Sequence, residues 1–585
     1  MFSCNRKCGM GKADFLMKQW TIRTAGEGWM LSPHFHSAIA DLLVRRGITT
    51  TEQAEVFLRP DYDRDMHDPF LFADMEKVVA RLTDARADGE LVGIFGDHDV
   101  DGVSGATILK EAFDDLGIRN TVYIPDKHTE GHGINRTAIE SFAKEGATVF
   151  VSVDCGITNI AEVAEANQHG MDVIIIDHHH VPEELPPAFA IINPKMSSSG
   201  YPFPDLCGTG TAFKVITALF QRIVPEKTDQ LKWLLDIVSV GTIADCMPLY
   251  GENRTIVKYG LYVLSKTRRI GFQELCAVGR IPVAEGMVPD VRTVAFHIAP
   301  RINAAGRMAH ARDAHHLLIE RDRARARTMA LDLEDKNKRR QKITEEILRE
   351  VREIARTEQN DQSSIFAAAE HFHIGIVGII AGRIANEFQK PAGVFWRDTA
   401  ESRGSFRSVP HINIVHVLEQ CKDLLIRFGG HHQAAGATVA TKNLDAFAHR
   451  FHEIVGAEMA KGDVPTDDLM IDAELSPETV NFTFVEQLKQ FEPFGEGNRE
   501  PLFSMNHMTI DEMRLVGNGE KHVKMRLRAK GKPMVFDAIG FGLGERAATF
   551  ARGAIVDVAF HVQENIWNAT RSLQLKIVDL RPHKL

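Results

Sequence analysis

Gly96-Asp97-His98-Asp99-Val100-Asp101-Gly102 follows the apolar run Leu91-Val92-Gly93-Ile94-Phe95. The run reads as a short buried strand that ends in a turn. On an extended backbone residues two apart face the same way, so Asp97, Asp99 and Asp101 crowd three carboxylates onto one side. Like charges at that distance repel and do not all ionise unless something positive lies between them. Taken alone, the stretch reads as a loop of solvated acids. Three further clusters downstream decide against that.

Asp154 closes the apolar stretch 148–153 and precedes Cys155-Gly156. Asp177-His178-His179-His180 closes the stretch 172–176, and Asp245 stands in Gly241-Thr242-Ile243-Ala244-Asp245-Cys246-Met247-Pro248. Three of the four clusters thus end strand-like runs, and helix-like segments such as 138–144 and 160–169 separate them. That alternation predicts a parallel sheet with crossover helices, which places ligands beyond the carboxyl ends of its strands. Residues 231–244 instead carry apolar side chains at helical spacing, so Asp245 is expected from near a helix end. Aspartates and histidines gathered in this way suit a pair of divalent cations, Mn2+ or Mg2+, better than zinc in a thiolate site.

Length, 585 residues, allows three or four domains. Apolar content of 44% and charged content of 25% are those of an ordinary globular chain. No run approaches the ~18 apolar residues of a membrane helix, and no signal-peptide order opens the chain. Seven cysteines, with only Cys4 and Cys8 close together, indicate a reducing cytoplasm and no zinc site. The net charge of −10 decides little about nucleic acid, because binding depends on local patches.

Later segments narrow the reading. Arg301-Ile302-Asn303-Ala304-Ala305-Gly306-Arg307, Gly404-Ser405-Phe406-Arg407-Ser408, Gly429-Gly430-His431-His432-Gln433-Ala434-Ala435-Gly436 and Pro493-Phe494-Gly495-Glu496-Gly497-Asn498 follow the four acidic clusters in order. Together the eight motifs resemble the DHH phosphoesterase superfamily and, within it, the RecJ family of single-strand-specific 5′→3′ exonucleases. The resemblance runs from about residue 70 to the C-terminus.

It implies the following organisation. A helical cap on the catalytic domain occupies 17–75, while residues 1–16, polar, glycine-bearing and without periodicity, are expected from composition to be a disordered leader, with Met10 and Met17 as alternative starts. The catalytic DHH parallel-sheet domain spans 76–300. A motif loop and long connecting helix span 301–360, a second α/β lobe, the DHH-associated domain, 361–460, and an OB-type barrel 461–585. Composition supports the connecting helix independently: 311–357 is rich in Ala, Leu, Glu, Arg and Lys, without proline or glycine, and is expected to break once. Its charge run 335–340 reads as a solvated face.

By the resemblance, Asp99, Asp101, Asp154, His178 and Asp245 are direct metal ligands. The family often has a histidine where Phe95 stands, so Asp97 is expected to fill or support that gap. Tyr or Phe is usual at His98, a second departure. Asp177 is expected to orient a histidine, and His179 to contact substrate or leaving group. Arg301, Asn303, Arg307, Ser405, Arg407 and His431 are candidates for holding phosphates. The loop Gly131-His132-Gly133-Ile134-Asn135 reads equally as a phosphate approach or a plain loop, and His128 and His132 as surface histidines.

The strand Val523-Lys524-Met525-Arg526-Leu527-Arg528-Ala529-Lys530-Gly531-Lys532 is informative from spacing alone. Apolar and basic residues alternate, so Lys524, Arg526, Arg528, Lys530 and Lys532 share one face. Five like charges there destabilise one another unless an anion lies across them, which points to single-stranded DNA. Phe494 and Phe503 read as stacking or as core residues.

The activity implied is two-metal hydrolysis of single-stranded DNA with release of 5′-mononucleotides, in DNA repair and recombination. A monomer working with a single-strand-binding protein and a helicase, away from membranes, is the expected setting. The alternatives are a nano-RNase or small phosphodiesterase, which normally lacks the barrel and long helix, a shorter manganese pyrophosphatase, and a non-catalytic replication scaffold, which should have lost several acids.

Overall fold

The computed structural model describes residues 19–23, 35–127, 129–284, 286–461, 468–567 and 570–583. The expected leader, 1–16, and His128 lie outside them. Chain contacts divide the protein into two compact units, one of residues 60–464 with 493–498, the other of 1–59 with 465–492 and 499–585.

In the larger unit, five parallel strands form one sheet in the order Asn120–Tyr123, Leu91–Gly96, Ala147–Val153, Asp172–Ile176, Ala190–Ile192. The chain steps first to one side of Leu91–Gly96 and then to the other, so the acidic stretch leaves the sheet at its topological switch point. Both faces of this strand are covered, and Val92, Ile94 and Phe95 have no exposed surface. The near-continuous apolar sequence has this cause.

The connecting helix runs Arg323–Thr357, separated from Arg312–Ile319 by the expected break. Its Ala326, Ala330 and Leu333 belong to the core of the first lobe, and its Ile347, Leu348, Val351 and Ala355 to that of the second. One rigid element thereby carries both lobes. The second lobe has a mixed sheet ordered Leu425–His431, Ala434–Ala440, Glu401–Arg407, Ala392–Trp396, Ile365–Ala369.

The charge run proves only partly solvated. Lys338 and Arg339 are exposed, but Asn337 and Arg340 are buried, at 1% and 9% exposure. Helical spacing of three turns both toward the protein.

In the smaller unit, Phe503–Val516, His522–Ala529, Val535–Gly540, Thr570–Pro582 and Ile555–Trp567 pair in sequence around a ring that Phe503–Val516 and Ile555–Trp567 close. This is the five-stranded barrel, built from strands of up to 14 residues. Phe503 is core, 1% exposed. Two groupings differ from expectation. Helices Ser37–Val44 and Thr51–Leu58, expected in the catalytic cap, belong to the barrel's unit, where Phe57 packs edge-on against Phe491 and Trp20–Ile22 pairs with Leu469–Ile471. The loop 493–498 belongs to the larger unit, held by the amide of Leu249 on the Glu496 carbonyl at 2.8 Å.

Candidate cation centre and phosphate cradle

The acidic clusters converge as the strand ends require. His178 Nε2 lies 3.1 Å from Asp154 Oδ1, 3.4 Å from Asp245 Oδ2 and 3.8 Å from Asp101 Oδ2. Asp245 caps the helix Leu235–Ala244 and Asp154 follows its strand with φ +64°. A non-glycine residue in this left-handed region costs about 1 kcal/mol or more, and such strain collects at functional sites. Aspartate tolerates the region better than most residues.

Asp101 is clamped by the helix Gly208–Ile223, whose first amides, Gly208 and Thr209, donate to its carboxylate at 2.6 and 2.9 Å. A Cβ at Gly208 would stand 2.6 Å from that of Asp154, so only glycine allows both acids this close to the helix end. Asp177 accepts the amides of Ile157, His178 and His179 and the Nδ1 of His179 at 2.8 Å. It orients the pocket without facing it. Asp99 is placed differently from its neighbours: its Oδ1 accepts the amides of Asp101 and Gly102 and caps the helix Val100–Leu116.

Burial and the crowding of Asp101 and Asp99 push the Asp245 carboxyl up to about 8, and push Asp154 well above the carboxylate range. Burial holds His178 down to about 4, whereas the hydrogen bond that His179 donates to the Asp177 carboxylate lifts His179 to about 9. Acids that retain protons this strongly lack a positive partner. His178 Nδ1 and Asp245 Oδ2 are also buried without a hydrogen-bonding partner. Oxygen and imidazole donors left over in this way fit divalent cations. Donor atoms of Asp154, His178 and His179 lie within 4.8 Å of one another, as do those of Asp101, His178 and Asp245.

Candidate phosphate holders lie in the same unit. Arg407 Nη1 donates to Ser405 Oγ at 3.2 Å, and register across three strands aligns His431, Ala434 and Arg407. The first turn of the helix Val377–Phe388 covers them: a Cβ at Gly378 would stand 3.1 Å from Ser405 Oγ. Arg307 donates to the Gly375 carbonyl at 3.2 Å and lies under the influence of both Asp99 and Arg407. It links acids to cradle. Asn303 is half-buried on the same helix, Ala299–Met308.

Arg301 departs from expectation. Its Nε binds Glu334 at 2.7 Å and its Nη1 the His297 carbonyl at 2.7 Å, so this buried guanidinium braces the connecting helix instead of offering its fork to a phosphate. Two cations were missed. Lys127 senses Asp97, Asp99, Arg307 and Arg407, and Arg340 senses Arg307, Arg383 and Arg301. A lone lysine in a loop and an arginine inside a charge run gave no sequence signal.

On the barrel, Lys524, Arg526 and Arg528 are exposed while Val523, Met525 and Leu527 are buried, as the alternation requires. The stripe is not uncompensated, however. Arg528 pairs with Asp511 at 2.6 Å, Arg526 with Glu512 at 3.4 Å, and Lys532 with Glu478. The neighbouring strand Phe503–Val516 and the short helix Pro477–Thr479 supply the anions that the single strand, read alone, demands from outside.

Fold and site together define a DHH-type protein, with the superfamily's acid–histidine centre and its associated second lobe. Family models agree: the DHH family N-terminal domain matches residues 91–242, the DHHA1 domain 361–457 and the RecJ OB domain 471–579. Among curated proteins, the single-stranded-DNA-specific exonuclease RecJ of Bacillus subtilis is 34% identical over 93% of this chain and 68% of its own. That of Thermus thermophilus is 33% identical over 87% and 71%. A crystal structure of RecJ in complex with Mn2+ from Thermus thermophilus superposes with a TM-score of 0.79 at 28% identity, covering 97% of this chain and 80% of that one. The chain belongs to the RecJ family.

Proposed function

We infer that this protein is a metal-dependent exonuclease specific for single-stranded DNA, degrading from the 5′ end and releasing 5′-mononucleotides. The observation that carries this reading is the acid–histidine pocket with the Ser405–Arg407 cradle in one unit, linked by Arg307. The RecJ relatives named above support the substrate.

Asp101, Asp154, His178 and Asp245, with Asp97 and Asp99 beside them, would hold divalent cations. Such ions lower the pKa of a bound water and neutralise charge on a phosphodiester. The chain's own groups then divide the work. Arg407 and Arg307 offer forked, charge-assisted hydrogen bonds to a terminal 5′ phosphate, with Ser405 and the helix end beside them. His179, kept protonated by Asp177 and half exposed, stands ready to donate a proton to the departing 3′ oxygen. Cleavage of that bond frees the terminal nucleotide with its 5′ phosphate and leaves a new 5′ phosphate for the same cradle. A monomer in a reducing cytoplasm, cooperating with a helicase and a single-strand-binding protein in repair and recombination, completes the proposal.

Single strands labelled at either end test the polarity. A 5′ label should appear first as mononucleotide while a 3′ label persists on shortening fragments. Arg407→Ala should lower kcat/KM for 5′-phosphorylated ends about tenfold more than for 5′-hydroxyl ends, the loss of one charge-assisted bond. Equal losses would place Arg407 elsewhere on the strand, and early release of the 3′ label would reverse the polarity.

The basic barrel face is proposed to hold the strand's backbone. Asp511 and Glu512 must give up their arginines to it, so binding trades one set of ion pairs for another. Arg526→Ala with Arg528→Ala should weaken binding of long strands irrespective of sequence. The slope of log affinity against log salt should become shallower by about 0.7 for each arginine–phosphate pairing removed. An unaltered slope in the double variant would leave these arginines to their carboxylates.

A further inference from the structure

The parallel sheet has five strand ends, and three of them supply the acid–histidine pocket. Beyond each of the two edge strands the chain carries a lysine. Asn120–Tyr123 leads through Ile124-Pro125-Asp126 to Lys127, and Ala190–Ile192 leads through Asn193-Pro194 to Lys195. Both prolines are buried and fix the backbone as it leaves the sheet. On the second edge the Asp177 amide donates to the Ile192 carbonyl at 3.0 Å, which keeps neighbouring strand ends in register. Asn193 has no exposed surface. Its Nδ2 donates to the His179 carbonyl at 3.1 Å, and its Oδ1 accepts the Lys195 amide at 2.8 Å. One buried side chain thus joins the backbone of Lys195 to that of His179. On the first edge, the amides of Thr129 and Glu130 donate to the Asp126 side chain and carbonyl at 3.1 and 2.9 Å, closing a turn around Lys127.

The two ammoniums meet different groups. Burial and Arg307 lower the proton affinity of Lys127, while Asp97 and Asp99 raise it and Arg407 adds to the lowering. Burial pulls the proton affinity of His178 down and that of Asp245 up, and Lys195 lowers both. Lys127 therefore belongs to the cradle side of the pocket and Lys195 to the side of Asp245. Among the described residues no carboxylate pairs with either lysine, in contrast to Arg526 and Arg528 on the barrel. Lys195 is exposed and Lys127 half-buried, so both can reach a ligand. Four strand spacings of about 4.8 Å separate the edges by about 19 Å, too far for one phosphate to meet both lysines. Successive phosphates of one extended strand span such a distance.

We propose that Lys127 and Lys195 bracket the pocket as substrate contacts and set the direction in which single-stranded DNA crosses it. Lys127, beside Arg307 and Arg407, takes the 5′-terminal phosphate. Lys195 takes the phosphate one step beyond the scissile one. The strand then passes over the sheet's carboxyl ends from the Asn120–Tyr123 edge to the Ala190–Ile192 edge. An ammonium is a compact point charge on a flexible stem, suited to a backbone phosphate whose exact pose varies with sequence. These contacts presuppose the exonuclease reading and add to it the path of the substrate.

The test removes one phosphate charge at a time from short substrates. In a 5′-phosphorylated trinucleotide the first phosphate is terminal, the second scissile, and the third lies beyond. Lys195→Ala should lower kcat/KM for this trinucleotide about tenfold more than for the dinucleotide, which lacks the third phosphate. A neutral methylphosphonate at the third position should cost wild type about as much and the variant little more. Lys127→Ala should couple in the same way to the 5′-terminal phosphate and not to the third. Lys195→Arg should keep most of the coupling, because the charge remains. A role confined to holding the loop or tuning the pocket's acids would instead lower all substrates alike. Equal losses on di- and trinucleotide, additive effects of variant and methylphosphonate, or couplings exchanged between the two lysines would each overturn the proposal. Calorimetric titration of the same oligonucleotides into the Asp154→Asn chain, with and without each lysine change, repeats the cycle on binding alone. A wild type that cleaves none of them would sink the exonuclease reading, while the binding cycle would still decide both lysine contacts.

Discussion

Asp154→Ala should lower the rate of single-strand hydrolysis by at least about 10^3-fold, with binding of the strand retained. A ligand shared in a cation centre supports several kcal/mol of charge stabilisation, and ~4 kcal/mol corresponds to a thousandfold. The side chain is 3% exposed, lies 3.1 Å from His178, and holds its proton more tightly because of burial and the charges of Asp101, Asp99, Asp97 and Asp245. Alanine has a second effect, because φ +64° disfavours a residue with a plain Cβ. Asp154→Asn separates the two, since asparagine tolerates the left-handed region and keeps the volume. It should be equally inactive, yet in chelator at neutral pH it should melt no lower than wild type, because one crowded carboxylate is gone. Quench-flow assays with filter binding give the first pair of readings and thermal melts the other. Hydrolysis within tenfold of wild type in Asp154→Asn would remove the residue from the centre.

What the sequence displayed, and what it hid, follows from the range of the interactions. The strand ends at Gly96, Val153 and Ile176 were readable because buried parallel strands make continuous apolar runs, and an acid at the end of such a run stands out. The barrel's basic face was readable because its period of two is local. Pairings between distant positions were not. Arg528 meets Asp511 across 17 residues and Arg301 meets Glu334 across 33, so a free basic stripe and a free phosphate holder were both expected where the fold had already supplied carboxylates. Arg340 illustrates the same limit on a helix: its neighbours in sequence, Lys338 and Arg339, are exposed, whereas Arg340 lies on the buried face with Asn337, to which it donates at 2.9 Å. His132 reads as a surface residue and is one, with its side chain 68% exposed, although its ring also meets that of His98.

Lys214→Met should destabilise the larger unit by about 3–5 kcal/mol, the cost of leaving a buried charge without its partner. Lys214, on the helix Gly208–Ile223, is 2% exposed and forms an ion pair with Glu252, which has no exposed surface. The same ammonium donates to the His67 carbonyl at 2.9 Å, and the His67 amide donates to Glu252 at 2.8 Å. Tyr201 hydroxyl donates to the other Glu252 oxygen. These groups form one connected network, and burial pushes the lysine's affinity for its proton down even with Glu252 adjacent. Methionine matches the length of the lysine stem and adds no cavity, so the loss reads the charge and not the packing. Removing both charges, in Lys214→Met with Glu252→Leu, should recover most of the stability, because an apolar pair of similar volume is often neutral or better. Urea unfolding followed by circular dichroism on the two single variants and the double gives the coupling directly. The helix that carries Lys214 is the one whose first amides clamp Asp101. A destabilised Lys214→Met should therefore also need more Mn2+ for half-maximal hydrolysis, and the double variant should not. Single and double variants equal in stability would show that the pair does nothing for the fold, and a Mn2+ requirement that fails to follow stability would uncouple this network from the cation centre.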